Sequence, residues 1–244
     1  MKRTRVERLS QRARSGRLLA TLAFSLALCT LSSASLAATV VVSPADMDGW
    51  AFRTPDPDPN TPANETTATA QFVNGPGTPP LGTGSAQLNV GSNGVSTAQI
   101  RNTNYAGTML SELTALSYST YVAQNLNGAQ APYLALYLDY NNDNTPDDVI
   151  LFEPEYQHAY TSAVPDQGDL LLNTWQTWDA LAGGWYSTIG TGGSGPGVGV
   201  KPLSFFFSTT PGTTIVNPQV AADWLSSRAA ATQPQSISGA TWTM

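Results

Sequence analysis

The sequence predicts an all-β protein, an antiparallel two-sheet sandwich of jelly-roll-like form, and three observations carry that expectation. Period-two alternation recurs: Ser85-Ala86-Gln87-Leu88-Asn89-Val90 places its apolar residues at even positions, and Leu116 to Val122 puts Leu116, Tyr118, Thr120 and Val122 on one face. The 21 Gly and 17 Pro interrupt nearly every window long enough for a helix. Lys and Glu, the usual residues of a helix surface, are scarce beyond residue 37.

The first segment stands apart. Seven of the eleven basic residues (Lys2, Arg3, Arg5, Arg8, Arg12, Arg14, Arg17) precede an apolar run, Leu18 to Leu31, and Ser35 and Ala37 occupy the −3 and −1 places of a cleavage point after Ala37. That order describes a secretory signal peptide over 1–37 and a secreted product, extracellular or at a cell surface. Leu28 before Cys29 argues against lipidation, which needs a small residue there.

Removing 37 of the 244 residues leaves 207, enough to bury one core. Only Glu7 of the 17 acids lies in the leader, so sixteen acids face Arg53, Arg101, Lys201 and Arg228, and the mature net charge is −12. Such a chain repels nucleic acid and anionic membranes, both of which are bound through clustered Lys and Arg. No later apolar run reaches the roughly 18 residues of a membrane span. With no Cys after the leader and His158 as the one His, thiolate nucleophiles, disulfides and Cys- or His-rich metal centres are excluded.

The sandwich is expected over 38–220, with 221–244 a polar C-terminal tail or a divergent last strand. Thr54 to Asn64, rich in Pro and Asp, is a surface loop. Val95 to Arg101 is expected to return beside Ser85–Val90 as a hairpin across Gly91-Ser92-Asn93-Gly94. Tyr133 to Tyr140 is apolar on both faces, hence a central strand, with Val149 to Phe152 as its neighbour. Thr174–Leu181 and Trp185–Ile189 form another pair across Ala182-Gly183-Gly184. Leu203–Ser208 and Thr213–Val216 are late strands. Gly190 to Gly199 is a flexible loop that lacks the Lys-Ser/Thr of a phosphate loop.

Asp139 to Asp148 (DYNNDNTPDD) carries oxygen-bearing side chains at Asp139, Asn141, Asp143, Thr145 and Asp147. A hard cation such as Ca²⁺ takes six to eight oxygens, and a tight loop with alternate side chains turned inward supplies them. The spacing resembles the start of an EF-hand-type loop, but Asn144 stands at its Gly position and Ile150 at its bidentate Glu. The same residues also suit a plain polar hairpin turn.

No residue is assigned a catalytic role. Glu153 and Glu155, two apart on an expected strand, are an acid pair that could serve a glycosidase, as another pair facing one cleft could, although Pro154 between them fits a solvated corner equally well. His158 is read as a loop residue. Asn64-Glu65-Thr66 matches the N-glycosylation pattern. Trp175, Trp178, Trp185 and Tyr186 lie within twelve residues, and flat rings stack on the C–H faces of sugars. Trp175 and Trp178, three apart on a strand, point to opposite faces, so one is core. Trp178 beside Asp179, together with Trp185 and Tyr186, is the expected ligand-binding set.

Leu110–Val122 (LSELTALSYSTYV), Ala131–Pro154 (APYLALYLDYNNDNTPDDVILFEP) and Trp175–Trp185 (WQTWDALAGGW) resemble a group of exported bacterial proteins, known mostly as uncharacterised sequences. The resemblance spans about residues 40 to 205 and implies a β-sandwich with a lectin-like or carbohydrate-binding-module-like look. It implies no catalytic residues. The resulting expectation is a non-enzymatic secreted module that binds a polysaccharide or surface glycan, with a structural Ca²⁺. The alternatives are a structural or adhesive surface protein without a small ligand and, third, a glycoside hydrolase.

Overall fold

The computed structural model describes residues 42–53, 68–90, 98–124, 131–158, 163–217 and 236–243, the last by backbone pairing only. The leader, the Thr54–Asn64 run, the Asn64-Glu65-Thr66 triplet and the Gly91–Gly94 turn lie outside the described residues.

The strands are β1 (Trp50–Arg53), β2 (Thr69–Asn74), β3 (Gly84–Asn89), β4 (Gln99–Asn102), β5 (Ser117–Tyr121), β6 (Leu134–Asp139), β7 (Asp148–Phe152), β8 (Trp175–Asp179), β9 (Gly184–Ser187), β10 (Lys201–Pro202), β11 (Thr214–Ile215) and β12 (Ser236–Thr243). They form one five-stranded sheet in the order β10-β9-β7-β6-β11, a second in the order β2-β3-β12-β5-β8, and a separate β1-β4 pair. The pairings within these sheets are antiparallel. The all-β, two-sheet architecture is therefore the observed one.

The core lies between the two five-stranded sheets. Tyr118 and Trp178 enter it from the second sheet, and Leu138, Ile150, Phe152 and Trp185 from the first. Tyr118 and Phe152 meet edge to face across the interface at 5.8 Å, and Phe152 meets Trp185 at 5.6 Å. Each polar tip on these buried rings has a partner, as burial requires. Trp178 Nε1 donates to Thr120 Oγ1 at 2.9 Å, Trp185 Nε1 to the Ala180 carbonyl at 2.7 Å, and Tyr118 OH to the Pro132 carbonyl at 3.1 Å.

The expected face of β5 is the buried one: Leu116, Tyr118, Thr120 and Val122 are all interior. Strand β7 sits at the centre of the first sheet beside β6 and is buried at every position. Ile150 and Phe152 face the main core, whereas Val149 and Leu151 pack outward with Tyr186 and Val200 in a second cluster. A strand covered on both faces reads as a continuous apolar run, which is why Val149–Phe152 shows no alternation.

Four local expectations are corrected. Strand β3 does not form a hairpin with the segment that follows it. Its edges are taken by β2, in register from Thr69↔Asn89 to Asn74↔Gly84, and by β12, while β4 pairs with β1. Strands β8 and β9 are not a hairpin either. Strand β8 pairs with β5 and β9 with β7 and β10, so Ala180–Gly183 crosses from one sheet to the other and lets Trp178 and Trp185 enter the core from opposite sides. Phe205–Ser208 is one helical turn, α1, which sends Phe206 into the core and keeps Phe205 and Phe207 half-buried at its edge. The Gly190–Gly199 loop is built of two 3₁₀ turns and is pinned: Ser194 Oγ accepts the Ser187 N–H, and Thr191 Oγ1 donates to Asp148. At Gly192, φ +63° and the Phe205 ring against the missing Cβ leave room for Gly alone.

Candidate functional site

The expected stacking set does not form a surface. Trp178 is 1% exposed, Trp185 0% and Tyr186 6%, because the two tryptophans fill the space between the sheets and Tyr186 packs behind the first sheet. Of the four residues only Asp179 is exposed, at the far end of β8, where its Oδ1 accepts the Ala182 N–H. Trp178, Trp185 and Tyr186 hold the fold.

Parity supplies the ring that was passed over. Trp178 lies opposite Tyr118 on the inner face, so Trp175, Thr177 and Asp179 form the outward row of β8, opposite Tyr121, Ser119 and Ser117 of β5. Trp175 and Tyr121 are half-buried, with ring centres 5.7 Å apart and planes tilted by 57°. Trp175 Nε1 donates to the Pro76 carbonyl at 2.9 Å, so the β2–β3 connection fixes the ring from the other side of the sheet. Leu171 and Leu172, about half exposed, precede it, and Leu172 bridges to Val122.

Apart from Asp179, the described strands of this outward face are uncharged. Ser119 Oγ and Thr177 Oγ1 share a hydrogen bond at 2.7 Å, and Gln71 Nε2 donates to Gln87 Oε1 at 2.9 Å. Strands β2, β3, β5, β8 and β12 contain no Lys or Arg, and Asp179 is their one carboxylate. The arrangement offers a ring with a partly open face, held in place before any ligand arrives, beside neutral hydroxyls and amides. The signal was present in the sequence: Trp175 shares parity with Thr177 and Asp179, two surface residues, whereas Trp178 does not.

The acidic loop closes on itself. Asp139, 1% exposed, accepts the N–H groups of Asn141 (3.0 Å), Asn142 (2.6 Å) and Asp143 (3.4 Å) at Oδ1 and of Asn144 (2.7 Å) at Oδ2. Asn141 Oδ1 accepts the Asp143 N–H, Asp143 Oδ1 the Thr145 N–H, and Asp147 Oδ2 the Tyr140 N–H. Asn142 and Asn144 take left-handed backbone, φ 61° and 65°, a conformation Asn tolerates. Among the described residues no group of three or more His, Cys, Asp or Glu side chains is arranged to hold a metal ion.

Asp148, at the foot of this loop, is fully buried. It accepts hydrogen bonds from Ser187 Oγ (2.9 Å), Thr191 Oγ1 (2.7 Å) and Tyr140 OH (3.0 Å). Burial first, then the Asp148 carboxylate, pushes the Tyr140 hydroxyl well above its ordinary range.

Glu153 and Glu155 are not on a strand. Pro154 begins a 3₁₀ turn, Pro154–Gln157, with Glu153 as its extended N-cap residue and Glu155 within it. Glu153 Oε1 accepts the Tyr186 hydroxyl, while burial raises the Glu155 carboxyl above its usual value. His158 ends the turn, with Nδ1 3.2 Å from Asp166 Oδ1 and 3.6 Å from Asp169 Oδ1 at the surface. Elsewhere a mostly apolar groove of about 320 Å³ is lined by Leu110, Leu113, Leu181, Pro202, Leu203 and Phe207. Among the described residues no helix is long and apolar enough to cross a membrane. No family model, curated protein or solved structure matches the chain.

Proposed function

We propose that the protein is a non-catalytic, exported β-sandwich module that binds glycans on the outward face of its second sheet. The observation that carries this reading is Trp175: a half-buried ring, anchored at Nε1 by Pro76 and braced by Tyr121, on a face that also presents Ser, Thr and Gln side chains. An apolar ring face supplies stacking area, the neighbouring hydroxyls and amides supply hydrogen bonds, and fixing the ring in advance lowers the entropy lost on binding. Pull-down of residues 38–244 on insoluble polysaccharides tests it. Wild type is retained, and Trp175→Ala is not. Equal retention of both proteins removes Trp175 from the reading.

A Ca²⁺ held by Asp139, Asn141, Asp143, Thr145 and Asp147 is the second element of this proposal. It is supported by the alternate oxygen-bearing side chains and by six acids between Asp139 and Glu155 with no base among them. Its role would be structural, and its test is the calcium dependence of melting.

A further inference from the structure

We infer that the ligand of the Trp175 face is an uncharged polysaccharide, a conclusion that rests on the glycan-binding reading and narrows it. Acidic glycans carry carboxylates or sulfates at regular intervals, and a protein that recognises them must supply cations, most effectively Arg in bidentate geometry. Among the described residues this face supplies none. The five strands of the second sheet contain no basic residue.

The described cations also lie away from this face. Arg53 ends β1 and Arg101 lies on β4, both in the separate two-stranded pair, where Arg101 Nε donates to Gln99 Oε1 at 2.7 Å. Lys201 is on β10 of the other sheet, with Nζ 5.6 Å from the Phe205 ring centre. Arg228 lies outside the described residues.

Among the described residues the one charge on this row is negative. Asp179 is exposed on the same outward row as Trp175. Residues 38–244 together carry −12. A polyanion would meet repulsion locally and at long range. A neutral glycan meets none, and its ring faces and hydroxyls match what Trp175, Tyr121, Thr177 and the Gln side chains present.

The test is affinity electrophoresis of wild type and Trp175→Ala through gels containing neutral polysaccharides (soluble β-glucan, xylan, galactomannan) or acidic ones (alginate, polygalacturonate). All runs contain EDTA, so that no divalent cation bridges carboxylates, and are repeated at raised NaCl. The expected result is retardation in at least one neutral gel, unchanged by salt and reduced at least tenfold in Trp175→Ala, with free migration in both acidic gels. Retardation in the acidic gels alone overturns the inference and leaves the glycan-binding reading standing. Free migration in every gel overturns both. Neutral binding that survives Trp175→Ala moves the site off this face and overturns the inference as argued.

Discussion

The side-chain amide of Gln157 pairs with both backbone groups of Gly184: its Oε1 accepts the Gly184 N–H at 2.8 Å and its Nε2 donates to the Gly184 carbonyl at 2.9 Å. Gln167 does the same to Asp179, at 2.8 and 2.9 Å, and its own N–H donates to the Gln157 carbonyl at 2.9 Å. Two glutamines thus stand in for strand neighbours on either side of the Ala180–Gly183 crossover. The crossover leaves its sheet without abandoning its hydrogen bonds.

Gln157, 1% exposed, should therefore be a stability residue. Gln157→Leu keeps much of the volume but leaves both Gly184 groups buried and unpaired. Each such group costs about 1–3 kcal/mol, so a loss of at least about 2 kcal/mol is expected in urea unfolding. An unchanged midpoint and slope would show that water replaces the amide.

Gly183 is the tightest point of the same crossover. A Cβ there would strike the Phe152 ring and come within 2.7 Å of Gln157 Oε1 and Gln167 Nε2. Gly183→Ala is expected to cost about 1–3 kcal/mol by overpacking, read as a lowered melting temperature. A neutral result would mean that the two glutamines yield.

The tryptophans separate by parity. Trp178→Ala and Trp185→Ala each open a cavity in the core and should cost about 3–5 kcal/mol. Trp175→Ala should abolish polysaccharide retention while near-UV circular dichroism keeps its native form. If Trp175→Ala instead unfolds the chain, its role is packing rather than binding.

The acidic loop gives two separable outcomes. Asp139→Ala removes the acceptor of four backbone N–H groups, and bonds to a charged acceptor contribute about 1.5–3 kcal/mol each, so it should destabilise in EDTA as well as in Ca²⁺. Asp143→Ala should abolish a Ca²⁺-dependent rise in melting temperature seen in the wild type. Identical wild-type melting in Ca²⁺ and EDTA would leave the loop as a turn.

Glu155 makes stability fall as pH rises. Burial raises its carboxyl in the folded chain, so the folded state holds that proton after the unfolded state has released it. Its unfavourable contribution is absent below the ordinary carboxylate value. It grows as pH rises from there through the folded pKa, then stays constant. Glu155→Gln should abolish this component in urea titrations at pH 4 to 7, and wild-type and variant curves that stay parallel would contradict it.

Much of the local structure was legible. Strand β5 showed its buried face through Leu116, Tyr118, Thr120 and Val122, because alternation is set by the chain's own pleat. Strands β6 and β7 showed their central position through uninterrupted apolar residues. The Phe205–Phe207 run was misread as a strand, since three consecutive apolar residues carry no period and packing chose the helical turn. Of the candidate site, the parity rule separated Trp175 from Trp178 correctly. The wrong member was assigned to the surface, although Thr177 and Asp179 marked the outward row.

By itself, then, the sequence determined the strand class, the inner and outer rows of single strands and the charge of residues 38–244. All three are properties of neighbouring residues or of their sum. The tertiary structure alone decided which strands meet. It sent Gly184–Ser187 to the opposite sheet from Trp175–Asp179, and it placed Ser236–Thr243 between β3 and β5, far from either in the chain. Those choices rest on filling one interior with Trp178, Trp185, Tyr118 and Phe152 while pairing the Leu181, Ala182 and Gly183 amides of the crossover, and such a balance exists only once both sheets are present.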